Sequence, residues 1–310
     1  MKTKCKSTIC AALFSFRLTV FAGAVPLLAA SAPAQNLFEA NIGTGNIYEF
    51  TPAGAQSLFA SGLDVPDGLA FNSAGDLFVA AEGNGNIYEF KNNNGTLNSS
   101  PTVFASGLDK PFGLAFNSAG DLFESDYGSG SIYEFTPDGT QSTFASGLDG
   151  PEGLAFNIVG NLFVANERGN TIAEITSDGT KSTFATGLSS PDGLAFYGTY
   201  LFVANQVGNN IVRIGPLGGS PQTFMSGLDD PNGLAFNSAG NLFGTGDLFV
   251  ADTGNGNIYE FTSLKEQSTF ASGLDEPVSL AFQPVPEPPV WGLLVLGFAA
   301  FLFHRRKLAT

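Results

Sequence analysis

Pro111-Phe-Gly-Leu-Ala-Phe-Asn117, Ser118-Ala-Gly-Asp121, Leu122-Phe-Glu-Ser-Asp126, Tyr127-Gly-Ser-Gly-Ser131, Ile132-Tyr-Glu-Phe-Thr136, Pro137-Asp-Gly-Thr140 and Ser142-Thr-Phe-Ala-Ser146 run in order along one stretch of chain. Four short β-rich runs alternate with turns of Gly, Asn, Asp and Pro, the pattern of a four-stranded antiparallel meander. The opening phrase, Pro-x-Gly-Leu-Ala-Phe, stands at Pro66, Pro111, Pro151, Pro191 and Pro231, and returns in altered form as Pro277-Val-Ser-Leu-Ala-Phe282. A period of about forty residues means one supersecondary unit copied along the chain.

The first three runs of each unit are apolar on successive residues, as expected of strands covered on both faces. The fourth is richer in Ser and Thr, which suits a wet outer edge. Between the two ends of the chain no segment has a helical period. Units of this kind arranged radially make a β-propeller. First runs begin near Gly68, Gly113, Gly153, Gly193, Gly233 and Ser279, and second runs near Leu37, Leu77, Leu122, Leu162, Leu201 and Leu242. The chain therefore enters at a second run, and the missing first run comes last, at 278–283. The expected fold is all-β: a six-bladed β-propeller of four-stranded antiparallel blades over 35–283, closed by a 3+1 exchange of N- and C-terminal strands. Two units are longer, one by the polar loop Lys91–Ser100, the other by Asn241-Leu-Phe-Gly-Thr-Gly246, a slipped copy of Asp247-Leu-Phe-Val.

Charge divides sharply along the chain. Residues 1–34 and the tail after Glu287 are basic, which leaves 6 basic against 27 acidic residues in the repeat region, a net of −21. Such a surface repels nucleic acid and disfavours phosphate binding. Cys5 and Cys10 are the two cysteines, so the repeats hold together by packing, with 30 phenylalanines in the chain to do it. His304 is the single histidine and Trp291 the single tryptophan, both in the tail. Ser-His-Asp and Cys-His nucleophilic chemistry is thereby excluded from the repeat region.

Lys2, Lys4 and Lys6 precede an apolar run, and Ala32-Pro-Ala34 offers a small-x-small cleavage pattern, so 1–34 reads as a secretory leader. At the other end Val285-Pro-Glu-Pro288 is followed by an apolar stretch, Val290 to Phe303, and then by His304-Arg-Arg-Lys307. The arginines would hold that end in the cytoplasm. This order of motif, short span and basic end in 284–310 resembles the PEP-CTERM sorting signal of Gram-negative bacteria. The resemblance implies export, transient inner-membrane anchoring and cleavage by an exosortase, in strains that make extracellular polysaccharide.

First strands line the axis of a propeller, so the residue between Pro and Gly should face a central channel. Around the ring these are Asp67, Phe112, Glu152, Asp192, Asn232 and Val278. Crowded carboxylates repel unless a cation neutralises them. An oxygen-only set of carboxylates plus an amide suits Ca²⁺, or another divalent metal, better than zinc. Two further recurrences have structural readings. Asn41, Asp126, Asn166, Asn205 and Asp252 end second runs, with Glu82 displaced by one, and fit hairpin-turn chemistry. Glu49, Glu89, Glu134, Glu174 and Glu260 in third runs fit a solvated strand position.

The repeat wording, Pro-x-Gly-Leu-Ala-Phe-Asn-x-x-Gly-Asn-Leu-Phe-Val-Ala-Asn/Asp and then Gly-Asn-x-Ile, resembles NHL-repeat propellers and the senescence-marker-protein (regucalcin)/gluconolactonase family. In the latter, the matching Pro-Asp-Gly and x-Asn-Gly positions hold a divalent metal. The resemblance thus implies Asp192 and Asn232 as metal ligands, completed by Glu152 or Asp67, and Asp192 or Asp67 as acid/base of a lactonase. Two readings stand side by side. One is an exported surface or matrix propeller that binds a protein, polysaccharide or other extracellular ligand. The other is a metal-dependent lactonase.

Overall fold

A computed structural model describes residues 35–237, 246–262 and 264–284, all within one compact unit. Residues 1–34, the expected leader, the tail beyond Pro284 with the expected sorting signal, and most of the slipped copy, 241–245, lie outside the described residues. Six four-stranded antiparallel sheets form the blades. Blade I takes Leu37–Asn41, Asn46–Phe50 and Gln56–Ser61 from the start of the chain and its innermost strand, Pro277–Phe282, from the end. The innermost strands of blades II to VI are Pro66–Phe71, Pro111–Phe116, Pro151–Phe156, Pro191–Tyr197 and Pro231–Phe236. Each contacts its two neighbours, and Pro277–Phe282 contacts both the last and the first of them, so the ring closes. Closure is fixed by register, with Leu37 opposite Phe282 and Glu39 opposite Leu280 in the exchanged pair.

One strand differs from expectation. The second strand of blade VI is Leu248–Asp252, not a run from Leu242. Leu248 pairs with Phe236 on one side and Phe261 on the other, so the second copy of Leu-Phe occupies the sheet. Asn237 secures that choice: its Oδ1 accepts the Asp247 N–H (2.9 Å) and its own N–H donates to the Asp247 carbonyl (3.1 Å). The extra residues after Lys91 form a small hairpin, Asn92–Asn93 with Thr96–Leu97, tied down by the Asp76 carboxylate, which accepts the Asn92 N–H at 2.7 Å.

The core lies in the seams between blades. In each second strand, alternate side chains face opposite neighbours, as the pleat requires. Phe123 shows the repeating motif. It stands edge-on to Phe144 of its own blade (4.9 Å, 88°) and to Phe156 of the next blade (5.0 Å, 77°). The same geometry recurs at Phe38, Phe78, Phe163, Phe202 and Phe249. Edge-to-face pairs add about 0.5–1.5 kcal/mol each beyond area burial, which makes the phenylalanines the radial fastening of the ring. Outer strands such as Gln141–Ser146 are mostly exposed, in line with their Ser/Thr content. Among the described residues there is no α-helix, and none long and apolar enough to cross a membrane.

Candidate functional site

Asp67, Phe112, Glu152, Asp192, Asn232 and Val278 line a single axial channel of about 170 Å³. A bulge in each innermost strand aims them there. In blade III, Pro111 pairs with Asp126 and Leu114 with Glu124, so Phe112 and Gly113 together oppose only Ser125. Two residues against one bends the strand and redirects a side chain, and the same shift occurs in blades II, IV, V and VI. The glycine after each channel residue answers to close approach. A Cβ on Gly113 would sit 2.3 Å from the Glu152 carbonyl oxygen, and one on Gly153 2.3 Å from that of Asp192. Blade I has Ser279 at this place, and its hydroxyl accepts the Leu69 N–H (3.2 Å) instead.

Glu152 is the most enclosed of the channel acids. It is 9% exposed, and its Oε2 has no hydrogen-bond partner. Burial raises its pKa strongly, reinforced by the charges of Asp192, Asp67, Glu167 and Glu82. Asp192 is likewise pushed well above the usual carboxylate range, by burial first and then by Asp67, Asp230 and Glu167. Asp67 rises to about 7, through burial and then Glu82. Asp67 and Asp192 still touch the channel's own space, so they are enclosed by protein without being sealed from water. A charge on Asp67 favours protons on the other two.

One position that the repeat pattern did not single out helps to place Glu152. Ser125 Oγ accepts the Gly113 N–H (2.8 Å) and donates to the Glu152 carbonyl (2.5 Å), clipping blade III to blade IV beside the channel. The other blades carry Ala40, Ala80, Ala165, Ala204 or Ala251 there, so the departure of Leu122-Phe-Glu-Ser-Asp126 from the Leu-Phe-Val-Ala wording was the available signal. Phe112 packs at 5.1 Å on Tyr127, whose hydroxyl donates to Glu167 Oε2 (3.1 Å) and whose ring lies 4.2 Å under the Arg168 guanidinium. Lys110 pairs with Glu82 at 2.7 Å.

The carboxyl and amide groups that end the second strands serve the loops. Asp126 accepts from the Asp109 and Ser129 N–H groups (2.8 and 3.0 Å), Asp252 from Asp229 N–H (2.7 Å), and Asn205 from Ser189 N–H (2.6 Å). The third-strand glutamates are only partly buried, and Glu49 and Glu174 accept from Asn36 and Asn161 (2.6 and 2.7 Å). As a metal cage the channel is loose. Its donors are oxygens, but among the described residues no three acidic, histidine or cysteine side chains gather closely enough to hold one ion.

No protein-family profile and no curated sequence matches the chain. Solved structures do. A chain of the nidogen/laminin complex is similar at a TM-score of 0.70, with 20% identity over 81% of this chain and 98% of that one. A streptogramin B lyase is similar at 0.60, with 16% identity over 80% and 95%. The virginiamycin B lyase of Staphylococcus aureus is similar at 0.55, with 18% identity over 70% and 77%. At these identities the likeness establishes the propeller fold, which hosts binding proteins and enzymes alike.

Proposed function

We propose that this chain is an exported propeller of the cell surface or extracellular matrix that works by binding, and that its axial channel holds a cationic group. The observation that carries this reading is the partnerless Oε2 of Glu152 in a channel that also takes the carboxyl groups of Asp67 and Asp192. A buried carboxyl without a hydrogen-bond partner is costly unless a ligand satisfies it. Asp67, Glu152, Asp192 and Asn232 are the donors the channel offers, spaced too loosely for a bare ion and so suited to a hydrated Ca²⁺ or to another cation that fills the channel. The leader-like 1–34 and the Pro-Glu-Pro tail support export and handling by an exosortase. Occurrence of this fold in a chain of the nidogen/laminin complex is consistent with a protein as the larger ligand.

A second reading, a metal-dependent lactonase, draws on the same carboxyl-lined channel, with Asp67 or Asp192 as its acid/base. Calorimetric titration of Ca²⁺ into the purified chain, beside Asp192→Ala and a lactone panel with Ca²⁺ or Zn²⁺, separates the two. Binding at one site per chain, lost in the variant and without lactone turnover, is the expected result. Turnover abolished by Asp192→Ala would replace it with the lactonase. Neither Ca²⁺ nor any other cation binding at about millimolar concentration, the weak end for extracellular sites, would sink both.

A further inference from the structure

The channel wall is unequal around its circumference. Asp67, Glu152 and Asp192 bring carboxyl groups, whereas Phe112, between the Asp67 and Glu152 blades, brings a partly buried aromatic ring. Tyr127 packs on that ring at 5.1 Å and is itself fixed by its bond to Glu167 and by the overlying Arg168. On the adjoining wall Glu152 is 9% exposed with Oε2 unpartnered. A desolvated carboxyl that shares a channel with an aromatic ring gains its charge most readily when a cation with an apolar body of its own enters. A bare Ca²⁺ instead needs six to eight oxygens at about 2.3–2.6 Å. No three acidic side chains among the described residues offer that, and the Glu152 carbonyl is already taken by Ser125.

We infer that the channel is selective for an alkylammonium group, the end of an unbranched primary amine such as a lysine side chain or a linear diamine. Glu152 Oε2 accepts an ammonium hydrogen, the Phe112 ring covers the adjoining methylenes, and the carboxyl groups of Asp67 and Asp192 face the same space, a proton leaving this wall as the cation enters. The inference rests on the cation-binding reading above and specifies its ligand class. A divalent ion would ignore the aromatic wall, so Phe112 is the residue that tells the two apart.

The test is calorimetric titration of the purified full chain with cadaverine, with Nα-acetyl-lysine amide and with Ca²⁺. The wild type is compared with Glu152→Gln and Phe112→Leu, whose folding is checked by thermal melts. Cadaverine should bind, and Glu152→Gln should weaken it at least about tenfold, the scale of a charge-assisted hydrogen bond. Phe112→Leu should weaken cadaverine about fivefold, the scale of a partly desolvated cation–π contact, and leave any Ca²⁺ affinity unchanged. Binding of the lysine amide as well as cadaverine would indicate a protein-borne lysine, and binding of cadaverine alone a free diamine; both support the inference. Ca²⁺ binding to the wild type that cadaverine does not displace overturns it while the cation-binding reading survives. If neither binds, both fall.

Discussion

Val164 and Glu124 occupy the same place in neighbouring blades, the third residue of the second strand, and both are wholly buried. Val164 packs among Phe123, Ile132 and Leu154 in the seam between blades III and IV. Glu124 lies on the same strand face as Leu122, whose seam is built from Ala70, Phe78, Ile87 and Phe135, and neither of its carboxyl oxygens has a hydrogen-bond partner. Glu39 repeats the situation beside Leu37 in the closing blade. Burial pushes the Glu124 carboxyl well above the ordinary range, helped by the Asp126 charge. It lifts Glu39 to about 8, against a smaller opposing pull from the Asn41 amide, which forms no hydrogen bond of normal geometry with it. Near-identical backbones thus accept either residue, but Glu only as a neutral acid near neutral pH. The two glutamates are places where the ring gives up stability, and nothing in the channel chemistry uses them.

The sharpest break of that comparison is to copy the defect. Val164→Glu should cost about 4 kcal/mol, the scale of a buried polar group without a partner in a packed core, read as a large fall in the denaturant midpoint. The converse change, Glu124→Val, should stabilise by about 1–3 kcal/mol, because an unsatisfied group is replaced by an apolar one of similar shape. An unchanged midpoint would mean that the Glu124 carboxyl finds a partner in solution.

Titration sharpens the same contrast through its dependence on pH. Between pH 4.5 and about 8, Glu39 is protonated in the folded chain and ionised in the unfolded one. The folded state then binds more protons, so stability falls as pH rises through this window, by about 1.4 kcal/mol per pH unit for each such group. Melts at pH 5 and pH 8 should show the protein more stable at the lower pH, and Glu39→Gln should flatten the slope. The least effect belongs to Ser125→Ala, which restores the residue type of the other blades. Loss of two hydrogen bonds at the blade III–IV junction should cost about 1 kcal/mol and, by freeing the Glu152 backbone, weaken cation binding in the titration above. Unchanged cation affinity would reduce Ser125 to a purely structural clip.

Blade number and ring closure were legible because both are local, repeated signals. Each turn carries its own Gly, Asn or Asp, and the first run missing at the start reappears at Pro277. The channel residues were legible for the same reason, since the bulge that aims them is written into every Pro-x-Gly. Other features depend on what lies across a seam. Leu242 and Leu248 open nearly the same phrase, and only pairing with Phe236 and Phe261, together with the bonds between Asn237 and Asp247, selects the second. Glu124 and Glu134 look alike along the chain, yet one strand position faces the seam with the preceding blade and the other stays partly exposed. Ser125 reads as a mere variant of alanine until the Glu152 carbonyl of the following blade comes within reach of its hydroxyl. Periodicity therefore determined the propeller and its axial ring by itself. Which acids lie buried without partners, and which hydroxyl holds them in place, was decided by contacts between blades about forty residues apart, because desolvation and hydrogen bonding depend on the neighbour across the seam.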